Sequence, residues 1–280
     1  MPEKSVIQLI DEYLNRDEIE LPVFNHVAQN LQTIMARDDY SLAEMSEVIE
    51  KDQALTSHVL KAANSAFYAG LQPAKTIRDA SVRLGAKSIV NLVTMVTQKR
   101  LYQSKVKPFV PLIGGLWTHA LGVSTASRWL CQHMGFQNVS EESFLAGLLH
   151  DIGKLLILRA VEDLLKTEPG LKGVSMNLVN EIIDALHAEH GERLMRRLNI
   201  PEVYCTVAGK HHDPDIKGDN IVLNMVRLAN LTCHKLGIGP KKNEEIMLST
   251  TPEAINLMAK DILLAELQVD LEDQIAAMQV

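Results

Sequence analysis

The apolar run Phe144-Leu145-Ala146-Gly147-Leu148-Leu149 leads straight into His150-Asp151-Ile152-Gly153-Lys154. Any fold this chain adopts must therefore bury a carboxylate beside an imidazole. A buried carboxylate without a partner is strongly unfavourable, so the fold has to supply a compensating cation. A metal ion is the first candidate. Four further histidines, His119, His187, His211 and His212, have spacings that fit the same purpose.

On one continuous helix His150 and Asp151 would stand about 100° apart. Both can then lean toward one pocket, with Lys154 above His150 on the same face. His187 and His190 share a face, and one of them is expected to point inward. His211 and His212 are neighbours at an expected helix end, where both rings can aim at one cavity. His26, His58, His133 and His234 lack such company and read as ordinary satisfied polar residues. Imidazole nitrogen and carboxylate oxygen together suit Fe, Mn, Zn, Ni or Co better than thiolate-selecting metals. The expected cofactor is one or two divalent transition-metal ions.

The surroundings read as all-α. Aromatics are 4% of the chain while the hydrophobic share is 46%, which favours helix-on-helix packing. Ser41-Leu42-Ala43-Glu44 and Thr76-Ile77-Arg78-Asp79 read as capping boxes, each followed by apolar residues at helical spacing. Ser140 is expected as an N-cap with acids behind it. Pro201 marks a helix start and residues 221–236 form an apolar helix. Thr251-Pro252-Glu253 opens a last helical stretch, with Ile255, Met258, Ile262, Leu263 and Leu267 on one side. Pro108, Pro111 and Gly114-Gly115 mark a break. The expected organisation is an N-terminal helical lobe at 1–110, a metal-binding lobe at 111–240 and a C-terminal helical extension at 241–280.

A net charge of −7 argues against nucleic acid as a partner. Lys99-Arg100 and Arg196-Arg197 are short pairs that fit solvated helix faces. Three cysteines, Cys131, Cys205 and Cys233, contain no C-x-x-C pair and fit a reducing compartment. No run reads as a membrane span and no apolar signal segment opens the chain. The expectation is a cytoplasmic protein with no membrane partner, with oligomerisation left open.

The sequence resembles the HDOD branch, the HD-related output domains, of the HD superfamily of metal-dependent phosphohydrolases. Its carriers in the first half are Leu21-Pro22, Asp52-Gln53-Ala54-Leu55-Thr56, Ala63-Asn64-Ser65-Ala66-Phe67-Tyr68 and Leu84-Gly85. Trp117-Thr118-His119, residues 146–154, His187-Ala188-Glu189-His190-Gly191, Ile200-Pro201 and His211-His212 follow. The likeness covers roughly residues 20–235 and implies an HD-domain-like helical bundle. It also implies His119, His150 and Asp151 as first metal ligands, and His187, His211 and His212 as the histidines of a second ion.

Two departures bear on activity. The superfamily's late aspartate would fall at Asn230, a neutral and weaker ligand. The Gly-Tyr-Pro signature of cyclic-dinucleotide hydrolysis is missing after His212, where Asp213-Pro214-Asp215-Ile216-Lys217-Gly218 stands. The departures favour a bacterial-type signal-transduction domain that keeps its metal site and acts mainly by binding a signalling protein or a phosphorylated small molecule or nucleotide. The alternative is an active phosphatase or phosphodiesterase, with Asp151 holding metal, water activated on it, and Lys154 stabilising developing charge. A third reading is a histidine network without an ion.

Overall fold

The computed structural model describes residues 5–15, 26–37, 39–65, 68, 72–168, 171, 173–214 and 219–278. Leu21-Pro22, Ala66-Phe67 and residues 215–218 lie outside them. Every regular element among the described residues is helical. In chain order the α-helices are α1 (Val6–Leu14), α2 (His26–Met35), α3 (Leu42–Glu50), α4 (Gln53–Ala63), α5 (Ile77–Leu84), α6 (Ala86–Lys99) and α7 (Phe109–His133). They continue with α8 (Ser140–Leu149), α9 (Ile152–Thr167), α10 (Met176–Arg197), α11 (Glu202–Lys210), α12 (Ile221–Leu236), α13 (Pro252–Leu257) and α14 (Asp261–Met278).

The chain divides into two compact units, one of Met1–Leu21 with Gln103–Gln268 and one of Pro22–Tyr102 with Val269–Val280. These bounds differ from the expected ones. Helix α1 belongs with the histidine-bearing unit because Ile10 and Leu14 are buried and Tyr13 donates a 2.7 Å hydrogen bond to Asp163 on α9. Residues 241–268 group with that unit too.

Within the smaller unit, α3 to α6 pack on one another and α2 covers α3 and α6. Thr76 and Asp79 form the expected reciprocal box at the start of α5. Ser41 accepts from the Glu44 amide, but Glu44 does not reach back; its carboxylate pairs with Arg37 instead. Asn64 ends α4 and bridges both backbone groups of Ala74, donating to its carbonyl at 2.9 Å and accepting from its amide at 2.8 Å.

In the larger unit α7 packs on α8 and α12, α9 on α10, and α11 on α8, α10 and α12. Of the break expected at Pro108, Pro111 and Gly114-Gly115, Pro108 does stand directly before α7, but Pro111 and Gly114-Gly115 lie inside that helix. Pro111 occupies the first turn of α7, where a missing N–H removes no helical bond. Gly115 leaves room for Pro240, whose nitrogen lies 3.4 Å from where a Cβ would stand. Helix α7 is long and apolar enough by length and composition to cross a membrane, contrary to the expectation that no run is, and more than half of its most apolar window is buried within the fold. Ser140 is the first residue of α8 rather than its cap, and its hydroxyl donates to the Gln137 carbonyl.

The stretch from Thr251 is not one helix. Thr251 caps α13 as expected, with Pro252 at its first position, but α13 ends at Met258 in a left-handed conformation, φ 53°. Of the expected apolar side, Ile255, Met258 and Ile262 are exposed and Leu267 is buried as expected, while Ala254, Leu257 and Leu264 are the other buried residues of this stretch. Left-handed φ is strained for a side chain bearing a Cβ, and Met258 is 86% exposed. Met258→Gly is therefore expected to raise stability by up to ~1 kcal/mol, seen as a higher urea midpoint with an unchanged slope.

Candidate metal centre

The apolar residues 144–149 are all buried in α8, and they deliver His150 and Asp151 into the interior. The two do not share a helix. His150 is the C-cap of α8 and Asp151 stands at the N-terminus of α9, so the chain breaks at the motif. That break lets both side chains face the same point. It also sets the carboxylate at the positive end of a helix dipole. Gly153, one residue into α9, is required by packing: a Cβ there would lie 1.9 Å from the His187 carbonyl oxygen on α10. The glycine thus permits the approach that brings His187 to the cluster.

Four imidazoles surround the Asp151 carboxylate. Oδ1 lies 3.3 Å from His211 Nε2 and 3.5 Å from His187 Nε2. Oδ2 lies 3.3 Å from His150 Nε2 and 3.7 Å from His119 Nε2. Lys154 Nζ is 2.7 Å from Oδ2, so this lysine neutralises the aspartate rather than lying over His150 as expected. All six residues are at most 5% exposed.

Each ring is anchored through its other nitrogen. His119 Nδ1 meets the Ile238 carbonyl at 3.0 Å, His150 that of Gly147 at 2.7 Å, His187 that of Ile183 at 2.7 Å and His211 that of Ala208 at 2.9 Å. A carbonyl can only accept, so the proton of each neutral ring belongs on Nδ1. Every Nε2 then presents a lone pair toward Asp151. The Nε2 atoms of His187 and His211 face each other at 3.2 Å with no proton to share. Asp151 Oδ1 and the Nε2 atoms of His119 and His150 are buried without a hydrogen-bond partner, and Oδ2 has only its ion pair with Lys154. Acceptors converging in this way need a cation beyond Lys154, because buried polar groups are rarely left unsatisfied.

The titration behaviour agrees. Burial drives the His119 imidazole down to about 3 and His187 to about 4, and it lowers His211 as well. Burial alone would raise the Asp151 carboxyl, but the positive electrostatics around it, the Lys154 ammonium foremost among the charged groups, outweigh burial and hold the group well below the usual carboxylate range. For His119, His187 and His211 the structure thus favours neutral, lone-pair-bearing rings beside an ionised carboxylate, which is the state a metal requires of its ligands.

Two donor groups share Asp151: His119 and His150 on one side, His187, His211 and His212 on the other. The first is closed. The second opens outward through the exposed His212 onto a cleft of about 550 Å³ that is also lined by Asn230, His234, Lys241 and Lys242. His190 stays outside the cluster, with Nε2 3.4 Å from Asp11.

His234 departs from the expectation of an ordinary satisfied polar residue. It stacks on His119, ring centroids 4.9 Å apart, and its Nδ1 is buried without a partner. The available signal was its i+4 spacing from Asn230, whose Oδ1 is likewise buried and unsatisfied beside the cluster. The anchoring carbonyl of Ile238 had no sequence signal. Gly239, at φ 120°, holds that loop against His119, where a Cβ would come within 2.7 Å of the ring's own Cβ.

A family model described as the HDOD domain matches residues 21–214. The crystal structure of an HDOD domain protein of unknown function from Geobacter sulfurreducens is 24% identical, with a TM-score of 0.75 over 97% of this chain and 96% of that one. One from Shewanella amazonensis SB2B, whose name provisionally assigns it as a metal-dependent phosphohydrolase, is 21% identical, with a TM-score of 0.73 over 95% and 98%. At these identities the shared property is the fold. An uncharacterized protein of Treponema pallidum (strain Nichols) is 24% identical over 220 residues, which are 76% of this chain but only 42% of that protein. The chain therefore spans less than half the length of that relative.

Gly153→Ala is expected to force α9 and α10 apart, lowering stability by ~1–3 kcal/mol and moving His187; urea denaturation measures the first effect and metal titration the second. The buried rings also set a pH dependence for the metal-free protein. Their folded pKa values lie below the ordinary 6.5, so the unfolded chain binds more protons below that pH and stability falls on acidification. The loss is expected to begin near pH 6.5 and deepen toward pH 4, by about 1.4 kcal/mol per pH unit for each such ring. Urea midpoints between pH 7.5 and 4.5 measure it, and a flat profile contradicts the proton placement.

Proposed function

The chain belongs to the HDOD family, and from that membership and its donor set we propose that it is a signal-transduction domain whose metal centre binds a phosphorylated ligand. The observation that carries the reading is the convergence of four imidazole Nε2 atoms on both oxygens of Asp151, with Lys154 as the cation provided by the chain. His119 and His150 with Asp151 would hold one divalent transition metal, and Asp151 with His187, His211 and His212 another. Fe, Mn, Zn, Ni and Co all suit these donors. Such an ion supplies Lewis acidity toward phosphoryl oxygens and acidifies water.

The chain's own residues favour binding over turnover. Lys154 is committed to Asp151 at 2.7 Å, which removes it as a free donor to developing phosphate charge. Asn230 contributes a neutral amide where a carboxylate would add negative charge and basicity. The ligand class is read from the open side, where Lys241 and Lys242 line the cleft next to His212. Their ion-pair partners, Asp184 and Glu244, are exposed, so exchanging them for a phosphate costs little. We place the protein in the cytoplasm, with output by contact to a signalling partner. The second reading, a metal-dependent phosphohydrolase, is favoured by the same opening, because the exposed His212 gives water and ligand access to the centre.

Metal analysis of protein purified without a chelating tag is expected to find one or two transition-metal ions per chain, lost in Asp151→Ala. A phosphatase and phosphodiesterase panel supplied with Fe, Mn, Ni or Co is expected to show no robust turnover. Turnover that vanishes in Asp151→Ala would replace the binding reading with the hydrolytic one. Folded protein that takes up no metal would overturn both.

A further inference from the structure

The open half of the centre is carried by the turn after α11, and a buried ion pair grips that turn from outside the cluster. Arg227, on α12, donates from Nη1 to the Lys210 carbonyl at 3.0 Å and to the Asp213 carbonyl at 2.5 Å. Those two carbonyls flank His211 and His212. On its other edge the guanidinium donates from Nε to Glu253 Oε1 at 2.8 Å. Arg227 is 9% exposed and Glu253 3%.

Glu253 is itself fixed. It occupies the first turn of α13, directly after Pro252, with Thr251 as the cap. Capping the last carbonyls of a helix with an arginine is common, and water or lysine would serve that need at a surface. A buried carboxylate dedicated to orienting the arginine is costly, and Glu253 Oε2 has no hydrogen-bond partner. The arrangement fixes the guanidinium plane, and through it the direction in which His211 and His212 leave the turn. Both Arg227 and Glu253 lie beyond residues 21–214, which the family model matches.

We propose that Arg227 is a positioning residue for the His187–His211–His212 side of the centre, and that Glu253 sets its orientation, so that α13 determines whether this side can hold an ion. The inference rests on the metal reading above. It does not extend to His119 and His150, whose rings are anchored on Ile238 and Gly147.

The test uses the full chain as wild type, Arg227→Met, Arg227→Lys and Glu253→Gln. Each is titrated with Co²⁺ and Mn²⁺, and imidazole ring signals of the metal-free proteins are recorded by NMR. Arg227→Met is expected to weaken the ion on the open side at least tenfold while leaving the closed side unchanged. Arg227→Lys, with a point charge in place of a fork, is expected to recover only part of it. Glu253→Gln, which keeps an acceptor oxygen, should weaken it less than Arg227→Met. In the ring signals, His211 and His212 should shift and His119 and His150 should not. Should Arg227→Met fail to fold, the other two variants carry the comparison.

Folded variants that load the open side like wild type overturn the inference. So do ring signals that move equally at all four histidines, or at none. If wild type takes up no metal, the metal reading fails, and the selective shift of His211 and His212 still decides whether Arg227 positions that turn.

Discussion

Everything in the larger unit turns on one carboxylate that has been taken out of water. Asp151 is 4% exposed, and its cost has to be offset within a few ångströms. The offset from the chain is a single ammonium, that of Lys154. The imidazoles around it add no proton, because backbone carbonyls have claimed their Nδ1 hydrogens. The result is a pocket whose residual charge and lone pairs are unmet by protein alone. That imbalance separates a ligand set from a satisfied polar core, where donors and acceptors would alternate.

Helix ends and close helix crossings build this imbalance. His150 and Asp151 occupy the junction of two helices, and His211 follows the last turn of another. A junction offers directions that one helix cannot: adjacent residues there can converge. His119 and His187 are the exceptions, lying within α7 and α10, and His187 reaches the cluster because Gly153 brings α9 close. Arg227 and Glu253, which line the same cleft, then hold the His211–His212 turn.

Much of this was legible in the sequence. The helical class followed from caps and apolar spacing, and Thr76 and Thr251 cap as their motifs state. The residues His119, His150, Asp151, His187, His211 and His212 come together as two donor groups around one aspartate. What failed, failed for local reasons. Pro111 and Gly114-Gly115 look like a break, yet a proline in the first turn removes no bond and glycine at a crossing is a packing choice. Glu44 had a better partner in Arg37 than in the cap. The stretch expected from Thr251 to Leu267 as one helix breaks where Met258 turns left-handed, which no periodicity announces, so Ile255 and Ile262 face outward while Leu267 stays buried. Ile238 and Glu253 were invisible as contributors because their roles depend on tertiary contact with residues far away in sequence, and His234 offered only its i+4 spacing from Asn230.

That distance has a consequence for how the protein is made. A ribosome that has delivered residue 212 has delivered every imidazole that faces Asp151. It has not yet delivered the carbonyl of Ile238 that fixes the His119 tautomer, nor the arginine and glutamate that brace the last histidine turn. The nascent chain therefore carries the ligands before it carries their alignment. Assembly of the centre is a late event in the birth of the molecule, gated by helices that contribute no ligand of their own to the two donor groups.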